Sequence, residues 1–157
     1  MLDVRSSHDA THTWLIALVF LVATLCLSGC SHPGGAPAVV GAWLLKMPTA
    51  PYPYHLLIFH ADGTVIQSNP DAGDPRTSDS NLMGAWTTAG TQVTAKLVET
   101  SADRTTHQFV SRTELAISLQ VQLNTLHGTG TASVFDATGK LDGTPHPFTF
   151  DGDRILP

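Results

Sequence analysis

The residues of this chain best suited to chemistry are an arginine and a glutamate two positions apart, Arg112 and Glu114. Glu114 opens the segment ELAISLQVQLN (114–124), in which polar and apolar residues alternate as in a half-buried β-strand. If the polar face turned inward, both charges would be buried and would form the best candidate site. If it turned outward, the arrangement that we favour, they would form a solvated ion pair.

The histidines show no metal-binding pattern. Six of them follow residue 30, and no two are spaced two or four positions apart, as adjacent ligands on a strand or a helix would be. The chain also lacks a Gly-x-Ser-x-Gly turn, a phosphate-binding loop and a paired-cysteine motif. We therefore predict no catalytic residue, no metal and no cofactor, and we favour a protein that is not an enzyme.

The charge of the chain argues against a nucleic-acid partner. Its 157 residues include eight Lys and Arg against 13 Asp and Glu, a net charge of −5. The basic residues are scattered along the chain, whereas binding to phosphates needs a basic cluster or stripe. The length suits one folded domain.

The N-terminal segment predicts export and attachment to a membrane. Residues 14–27 are almost wholly apolar, a run too short for a typical membrane-spanning helix but suited to a signal peptide. It ends in LSGC (27–30), which resembles the lipobox of bacterial lipoproteins: a leucine, two small residues and a cysteine. The resemblance implies cleavage after Gly29 and a lipid on Cys30. The protein would then be anchored to a membrane of the bacterial cell envelope, on its periplasmic or extracellular face.

This resemblance and the composition divide the chain into three parts. Residues 1–29 would be the lipoprotein signal peptide. Residues 30–38 would be the lipidated cysteine and a flexible linker rich in Gly and Pro. Residues 39–157 would form the folded domain. Since Cys26 would be removed and Cys30 lipidated, no disulfide would form in the mature chain.

From residue 39 onward, short alternating segments separated by Gly and Asp-Gly turns predict an all-β domain. A meander of this kind must protect its edge strands, and closure into a ring achieves that. We predict a small antiparallel up-and-down β-barrel of about eight strands. The candidate strands are 39–47, 54–60, 63–68, 83–88, 91–99, 105–112, 114–123, 127–135, 145–150 and 153–156.

Two irregular segments interrupt this pattern. Residues 69–81 are polar and rich in Pro, Asp and Ser, which predicts an exposed loop at one end of the barrel. Residues 46–55 hold three prolines and cannot continue a central strand. Tyr52 and Tyr54, in that second segment, are placed to line an opening.

The tripeptide Gly-Ala-Trp occurs at 41–43 and at 84–86, each time where a strand is predicted to begin. In a closed barrel the first and last strands are neighbours, so Trp43 and Arg154 would meet, with the guanidinium over the indole. This resembles the calycins, meaning lipocalins and related small barrels, in which a Gly-x-Trp on the first strand packs under a basic residue of the last. The resemblance implies structural roles for Gly41, Trp43 and Arg154.

A further resemblance keeps an enzymatic alternative open. The order of a first Gly-x-Trp, then FHADGT (59–64), then a second Gly-x-Trp is similar to small bacterial lipocalin-like or allene-oxide-cyclase-like barrels. It implies an isomerase or cyclase that acts on a lipophilic substrate.

The alternating apolar side chains, with Phe109 and Leu123 among them, predict an apolar barrel interior. We therefore favour binding of a small hydrophobic ligand, with Tyr52, Tyr54, Trp86, Arg112 and Glu114 as candidate contacts. Gly128 and Gly130 would either leave room for that ligand or permit a tight bend. The alternatives are the cyclase, or a packed structural lipoprotein with an envelope protein as partner. The volume and lining of the cavity would distinguish them.

Overall fold

The computed structural model describes residues 37–68 and 74–157 of the chain. This part is all-β, and it contains no helix long and apolar enough to cross a membrane. The predicted signal peptide, Cys30 and most of the predicted linker lie outside the described residues. The strands are β1 (Gly41–Lys46), β2 (Tyr54–Phe59), β3 (Thr64–Ser68), β4 (Thr77–Asp79), β5 (Leu82–Ala89), β6 (Gln92–Asp103), β7 (Phe109–Gln122), β8 (Thr125–Asp136) and β9 (Leu141–Arg154).

Eight of these strands close into an antiparallel barrel, in the order β1-β2-β3-β5-β6-β7-β8-β9. The ring closes where β1 pairs with β9, from Trp43 opposite Arg154 to Lys46 opposite Asp151. The predicted up-and-down barrel of about eight strands is therefore confirmed. Of the described strands, β4 alone lies outside the ring, and it pairs with residues 101–103 of β6.

The connections alternate between the two ends of the barrel, because neighbouring strands run in opposite directions. The lower end carries the start of β1, the end of β9 and three tight turns, at 60–63, 90–91 and 123–124. The upper end carries the β1–β2 loop at 47–53 and the turns at 104–108 and 137–140.

Several strands differ from those predicted. Residues 109–112 of the predicted strand 105–112 and nearly all of 114–123 belong to one strand, β7, and the segments 145–150 and 153–156 fall largely within one strand, β9. Residues 105–108 lie in the turn before β7. The predicted loop 69–81 contains the short strand β4, while its residues 69–73 lie outside the described part. The barrel thus has fewer and longer strands on one side than the turn signals indicated.

The expected interior positions of Phe109 and Leu123 were wrong. Phe109 begins β7 at the upper end, where the strand extends past the barrel, and its side chain is exposed. Leu123 lies in the tight turn between β7 and β8 and is 92 % exposed, with a positive φ of 56°. A left-handed backbone there reverses the chain in two residues and takes Leu123 out of the strand's alternation.

Alternate side chains of the eight barrel strands fill the interior. The largest of those that are fully buried are Trp43, Leu57, Phe59, Leu82, Leu97, Leu119 and Phe150. The two glycines of β8 face inward and receive aromatic rings: a Cβ on Gly128 would lie 2.4 Å from Cζ of Phe150, and one on Gly130 equally close to Cζ of Phe148. These glycines therefore hold core side chains, rather than opening space for a ligand.

The seam between the first and last strands joins three residues whose roles the calycin resemblance implied. Cζ of Arg154 lies 4.2 Å from the centroid of the Trp43 ring, and Nη1 of Arg154 donates to the carbonyl oxygen of Val40 at 2.8 Å. A Cβ on Gly41, whose φ is +133°, would lie 2.7 Å from that Nη1. Glycine is therefore required at position 41 both by its backbone and by the guanidinium beside it.

Two prolines lie in the part of β9 that β1 does not cover. Residues 141–150 of β9 precede the segment that pairs with β1. The N–H of Ile155 points toward β1, where it donates to the carbonyl oxygen of Ala42 at 2.9 Å. Pro147, opposite Thr131, shares that alternation, so the N–H group that it lacks would have faced the uncovered edge, while Pro145 lies in the bulge where the register of β8 and β9 shifts. Removing donors from an exposed edge prevents pairing with another chain.

Candidate functional site

A mostly apolar pocket of about 420 Å³ opens at the upper end of the barrel. We call it the upper-end pocket. Its floor is made by inward-facing side chains of β7, β8 and β9, and its wall by the β1–β2 loop. Its apolar lining consists of Met47, Pro51, Leu115, Ala132, Pro147 and Phe148, joined by Ala50, Thr49 and His146.

The β1–β2 loop is held in shape by its own backbone. The N–H of Met47 donates to the carbonyl oxygen of Pro53 at 2.8 Å, and the N–H of Ala50 donates to that of Met47 at 3.1 Å. The prolines that excluded a central strand here place Pro51 against the pocket, while Met47 remains buried in the core. The pocket is therefore bounded on one side by a loop and on the other by sheet.

Polar side chains also enter the interior near the upper end. His55, the second residue of β2, is 9 % exposed, and Gln67 on β3 is 4 % exposed. Both lie among apolar neighbours, and neither was identified from the sequence. Their inward orientation follows from the alternation of β2 and β3, since residues 57, 59 and 65 are buried as well.

The predicted ligand contacts Tyr52 and Tyr54 lie at the upper end, as expected from their segment. Tyr52 is half-buried in the β1–β2 loop. Tyr54 begins β2 and points to the outer face, where it is 53 % exposed. Neither tyrosine belongs to the lining of the upper-end pocket.

Trp86 lies in the core near the lower end, away from the upper-end pocket. Its Nε1 donates to the carbonyl oxygen of His60 at 3.0 Å, and its ring meets Phe59 edge to face, with centroids 5.7 Å apart. These contacts attach β5 to the turn at 60–63. The structure does not bring Trp86 together with the other predicted ligand contacts.

Arg112 and Glu114 lie on the outer face of the extended sheet. Nε of Arg112 and Nζ of Lys96 donate to the two oxygens of Glu114 at 2.9 and 2.8 Å. The hydrogen bond from Lys96, followed by that from Arg112, holds the pKa of Glu114 below its ordinary value. Cζ of Arg112 also lies 4.3 Å from the ring centroid of Phe135. The pair is thus part of a surface cluster and contributes no charge to the interior.

A second concavity, of about 590 Å³, lies outside the barrel, over β6, β7, β8 and β9 and beside β1. We call it the polar groove. The strand register forms a continuous row of side chains along it: Lys46 is opposite Asp151, Asp151 opposite His127, His127 opposite Gln120, and Gln120 opposite Gln92. Such a row offers both donors and acceptors to a polar partner.

Hydrogen bonds hold parts of this row in place. Nδ1 of His127 lies 2.7 Å from Oδ1 of Asp151. Nε2 of Gln120 donates to Oε1 of Gln92 at 3.2 Å, and Nε2 of Gln92 donates to Oγ of Ser118 at 2.7 Å. The sequence contained one signal for the groove, the polar alternation of residues 118–122, but the cross-strand register was needed to assemble it.

Within residues 37–68 and 74–157, no three His, Cys, Asp or Glu side chains come close enough to hold a metal ion. Comparison of the chain with protein-family models, with curated proteins and with solved structures finds no match. The function is therefore inferred from the chain's own residues and geometry.

Proposed function

We propose that this protein is a lipid-anchored lipoprotein of the bacterial cell envelope, whose calycin-like barrel binds a small apolar ligand in the upper-end pocket. The observation that carries the proposal is the mostly apolar lining of that pocket, at the end of a barrel whose remaining interior is filled by side chains. Cavities of a few hundred Å³ with apolar walls and few polar groups are the usual form of small-molecule sites.

The anchor is supported by the LSGC motif and the apolar run before it. Mass spectrometry of the N-terminal peptide of the mature protein tests it directly. We expect the chain to begin at Cys30 and to carry the mass of a lipid. A chain that begins elsewhere, or an unmodified Cys30, would rule out the lipoprotein part of the proposal.

The pocket explains how a packed barrel could still bind a ligand. Phe148 and Phe150 fill the space beside Gly130 and Gly128, so the barrel centre is occupied. The space left is bounded by Leu115, Ala132 and Phe148 below the β1–β2 loop. A ligand would bury apolar surface against these side chains, each CH₂ group contributing about 0.8 kcal/mol. The ligand expected is therefore a compact apolar molecule, such as part of an acyl chain or a small ring system.

Native mass spectrometry of the protein purified from its own host tests ligand binding, with Ala132→Phe as the blocking variant. Ala132 lines the pocket, and a phenyl ring there would occupy it. The matched control is Ala116→Phe, since Ala116 is exposed on the outer face of β7. We expect a bound mass in the parent and the control and none in the blocked variant. A bound mass that survives Ala132→Phe in a protein with unchanged circular dichroism would contradict the pocket.

The filled interior also favours a second candidate, a rigid scaffold that binds an envelope protein and no small molecule. The polar groove is the surface that such a partner would meet, because its row of Gln, His and Asp side chains is accessible to solvent. The absence of any bound mass in the parent, together with loss of a crosslinked partner in His127→Ala, would favour this candidate. The cyclase alternative gains no support from Arg112 and Glu114, which lie outside the barrel. Its remaining titratable candidate is His146, which lines the upper-end pocket.

A further inference from the structure

The outer surface of the barrel is divided into an apolar and a polar half. On β1, β2, β3 and the start of β5, large apolar side chains point outward among small ones such as Ala42 and Ala85. On β6, β7, β8 and β9 they are mainly polar, and they form the polar groove. We call the first half the apolar outer wall and define it by Leu44, Leu56, Ile58, Ile66, Met83 and Ile155.

The strand register makes this wall continuous. Leu44 is directly opposite Leu56, and Ile58 is opposite Ile66, which is opposite Met83. Side chains directly opposite on one face of a sheet touch each other. Ile155 extends the wall past the end of β9, where its N–H donates to the carbonyl oxygen of Ala42.

The described residues leave this wall accessible. Leu44 and Ile58 are 40 % exposed, Leu56 is 47 % exposed and Met83 is 60 % exposed. The outer face of an antiparallel sheet is polar where it faces water, and the opposite half of this barrel follows that rule. A contiguous exposed apolar patch marks contact with a membrane or another protein.

The chain itself favours a lipid surface as the occupant of the wall. Only six residues, 31–36, separate Cys30 from Pro37, and β1, which supplies Leu44 to the wall, begins four residues later. Even fully extended, the seven steps from Cys30 to Pro37 span no more than about 25 Å. If Cys30 carries a lipid, as in the proposed function on which this inference rests, Pro37 is confined to that distance from the membrane. The four steps from Pro37 to the start of β1 add at most about 14 Å. A lipid surface is then always within reach of the wall, whereas a second copy or another protein must arrive by diffusion.

We infer that the apolar outer wall rests on the membrane lipid and that the polar groove faces away from it. The contact is apolar in character, because the six wall residues carry no charge. The charged side chains beside them are those of Lys46 and of Asp153, which lies opposite Leu44 at the edge of the wall. Burial of the wall in the lipid headgroup region removes apolar area from water, as for an amphipathic element lying on a bilayer. The anchored barrel then has a defined orientation.

Spin-label accessibility on the full lipidated protein in phosphatidylcholine vesicles tests this orientation. Met83→Cys labels the wall, and Thr129→Cys labels the outer face of β8 on the polar half. Each new cysteine is the only free thiol of a chain whose Cys26 has been removed and whose Cys30 is lipidated. We expect the ratio of collisions with O₂ to collisions with a water-soluble nickel complex to be roughly threefold or more higher at position 83 than at position 129. Leu56→Cys provides a second wall position if Met83→Cys disturbs folding.

Equal ratios at the two positions in lipidated protein would overturn the inference. Shielding of position 83 from both reagents, with crosslinking to a second copy or to another protein, would also overturn it and identify that occupant. Mass spectrometry of the same sample reports the lipid on Cys30 independently. An unmodified Cys30 would therefore end the proposed anchor and this inference together, whereas a lipidated Cys30 with a water-accessible position 83 would end this inference alone.

Discussion

The guanidinium of Arg154 lies over the indole of Trp43, with Cζ 4.2 Å from the ring centroid, at the point where the last strand of the barrel pairs with the first. Trp43 is completely buried, and its Nε1 donates to the carbonyl oxygen of Val39 at 2.8 Å. Arg154 also donates to the carbonyl oxygens of Ala38 and Val40. One side chain of β9 therefore joins the segment before β1 to the barrel core.

Arg154→Ala should destabilise the barrel by about 2 kcal/mol, since it removes the cation–π contact and the hydrogen bonds to carbonyl oxygens. Urea unfolding, monitored by tryptophan fluorescence, measures the loss of stability. Arg76→Ala is the matched control, because Arg76 is exposed and its guanidinium pairs with Asp74 at the surface. An equal loss of stability in the two variants would contradict the role given to Arg154.

Gly128→Ala should destabilise the core, because the added methyl group would lie 2.4 Å from Cζ of Phe150 and 2.9 Å from Cβ of Leu119. Overpacking of this kind typically costs about 1–3 kcal/mol. Phe150→Leu removes the ring that occupies the space beside Gly128. In a double-mutant cycle, the cost of Gly128→Ala should therefore be smaller in the Phe150→Leu background. If the stability losses of Gly128→Ala and Phe150→Leu were strictly additive, Gly128 would not be needed to make room for the Phe150 ring.

Replacing Pro145 and Pro147 together by Thr should increase self-association without loss of the fold. The change returns the N–H group of residue 147 to the uncovered edge of β9 and that of residue 145 to the bulge beside it, where a strand of another molecule can pair. Sedimentation velocity at several protein concentrations measures the effect. Pro48→Thr, in the exposed part of the β1–β2 loop, adds a donor away from this edge and should leave the protein monomer population unchanged. A double variant that sediments like its parent would show that these prolines do not protect the edge.

The cluster of Lys96, Arg112 and Glu114 predicts a pH dependence on the acid side. Because the pKa of Glu114 is lower in the folded than in the unfolded chain, its contribution to stability is present above the unfolded pKa and is lost as the pH falls through the folded pKa. Lys96→Gln should raise the pKa of Glu114 toward its ordinary value, as measured by carbon NMR of the carboxyl group.

The same variant makes a second measurement possible. The stability difference between the parent and Lys96→Gln should be largest near neutral pH and should shrink in acid, where Glu114 is protonated in both proteins. Lys140→Gln, in the exposed turn at 137–140, is the control and should leave the NMR titration of Glu114 unchanged. A Glu114 titration that is the same in the parent and in Lys96→Gln would contradict the assignment of its low pKa to Lys96.

The alternation of polar and apolar residues along the sequence predicted the fold. The pattern along residues 114–122 is reproduced in the structure, with Leu115, Ile117 and Leu119 buried and Ala116 and Gln120 exposed. Closure followed from the number of strands and the short turns between them, because a ring removes the unpaired edges of a meander. Both inferences rest on local properties of the chain, which is why they could be made without a structure.

Local sequence signals gave a wrong prediction where side-chain packing inside the barrel determined the residue. Asp151-Gly152-Asp153 has the composition of a turn, yet it continues β9. A Cβ on Gly152 would lie 2.7 Å from a methyl group of Leu45 and 2.9 Å from Cγ of Leu126, so the glycine serves interior packing. The need for a small residue inside the barrel and the need for a turn produce the same sequence, and only the packing separates them.

The sites were less predictable than the fold, because they depend on which strands lie beside each other. The upper-end pocket arises where the β1–β2 loop meets β7, β8 and β9, and residues such as Pro51 and Leu115 carry no sequence sign of that meeting. The polar groove requires the register of five strands. The inward orientation of His55 and Gln67 was available from alternation, but the apolar density of their segments concealed it.

Because β1 pairs with β9, a chain whose strands follow one another from a different starting strand could form the same barrel. Ile155 donates to Ala42 across the lower end, so the two chain ends of the barrel leave it side by side. A short linker could join them, and new ends could be opened in the turn at 137–140. Such a circular permutant would turn the seam of Trp43 and Arg154 into an ordinary hairpin. The barrel is thus specified by which strands are neighbours, and the seam between β1 and β9 is one such pair among eight.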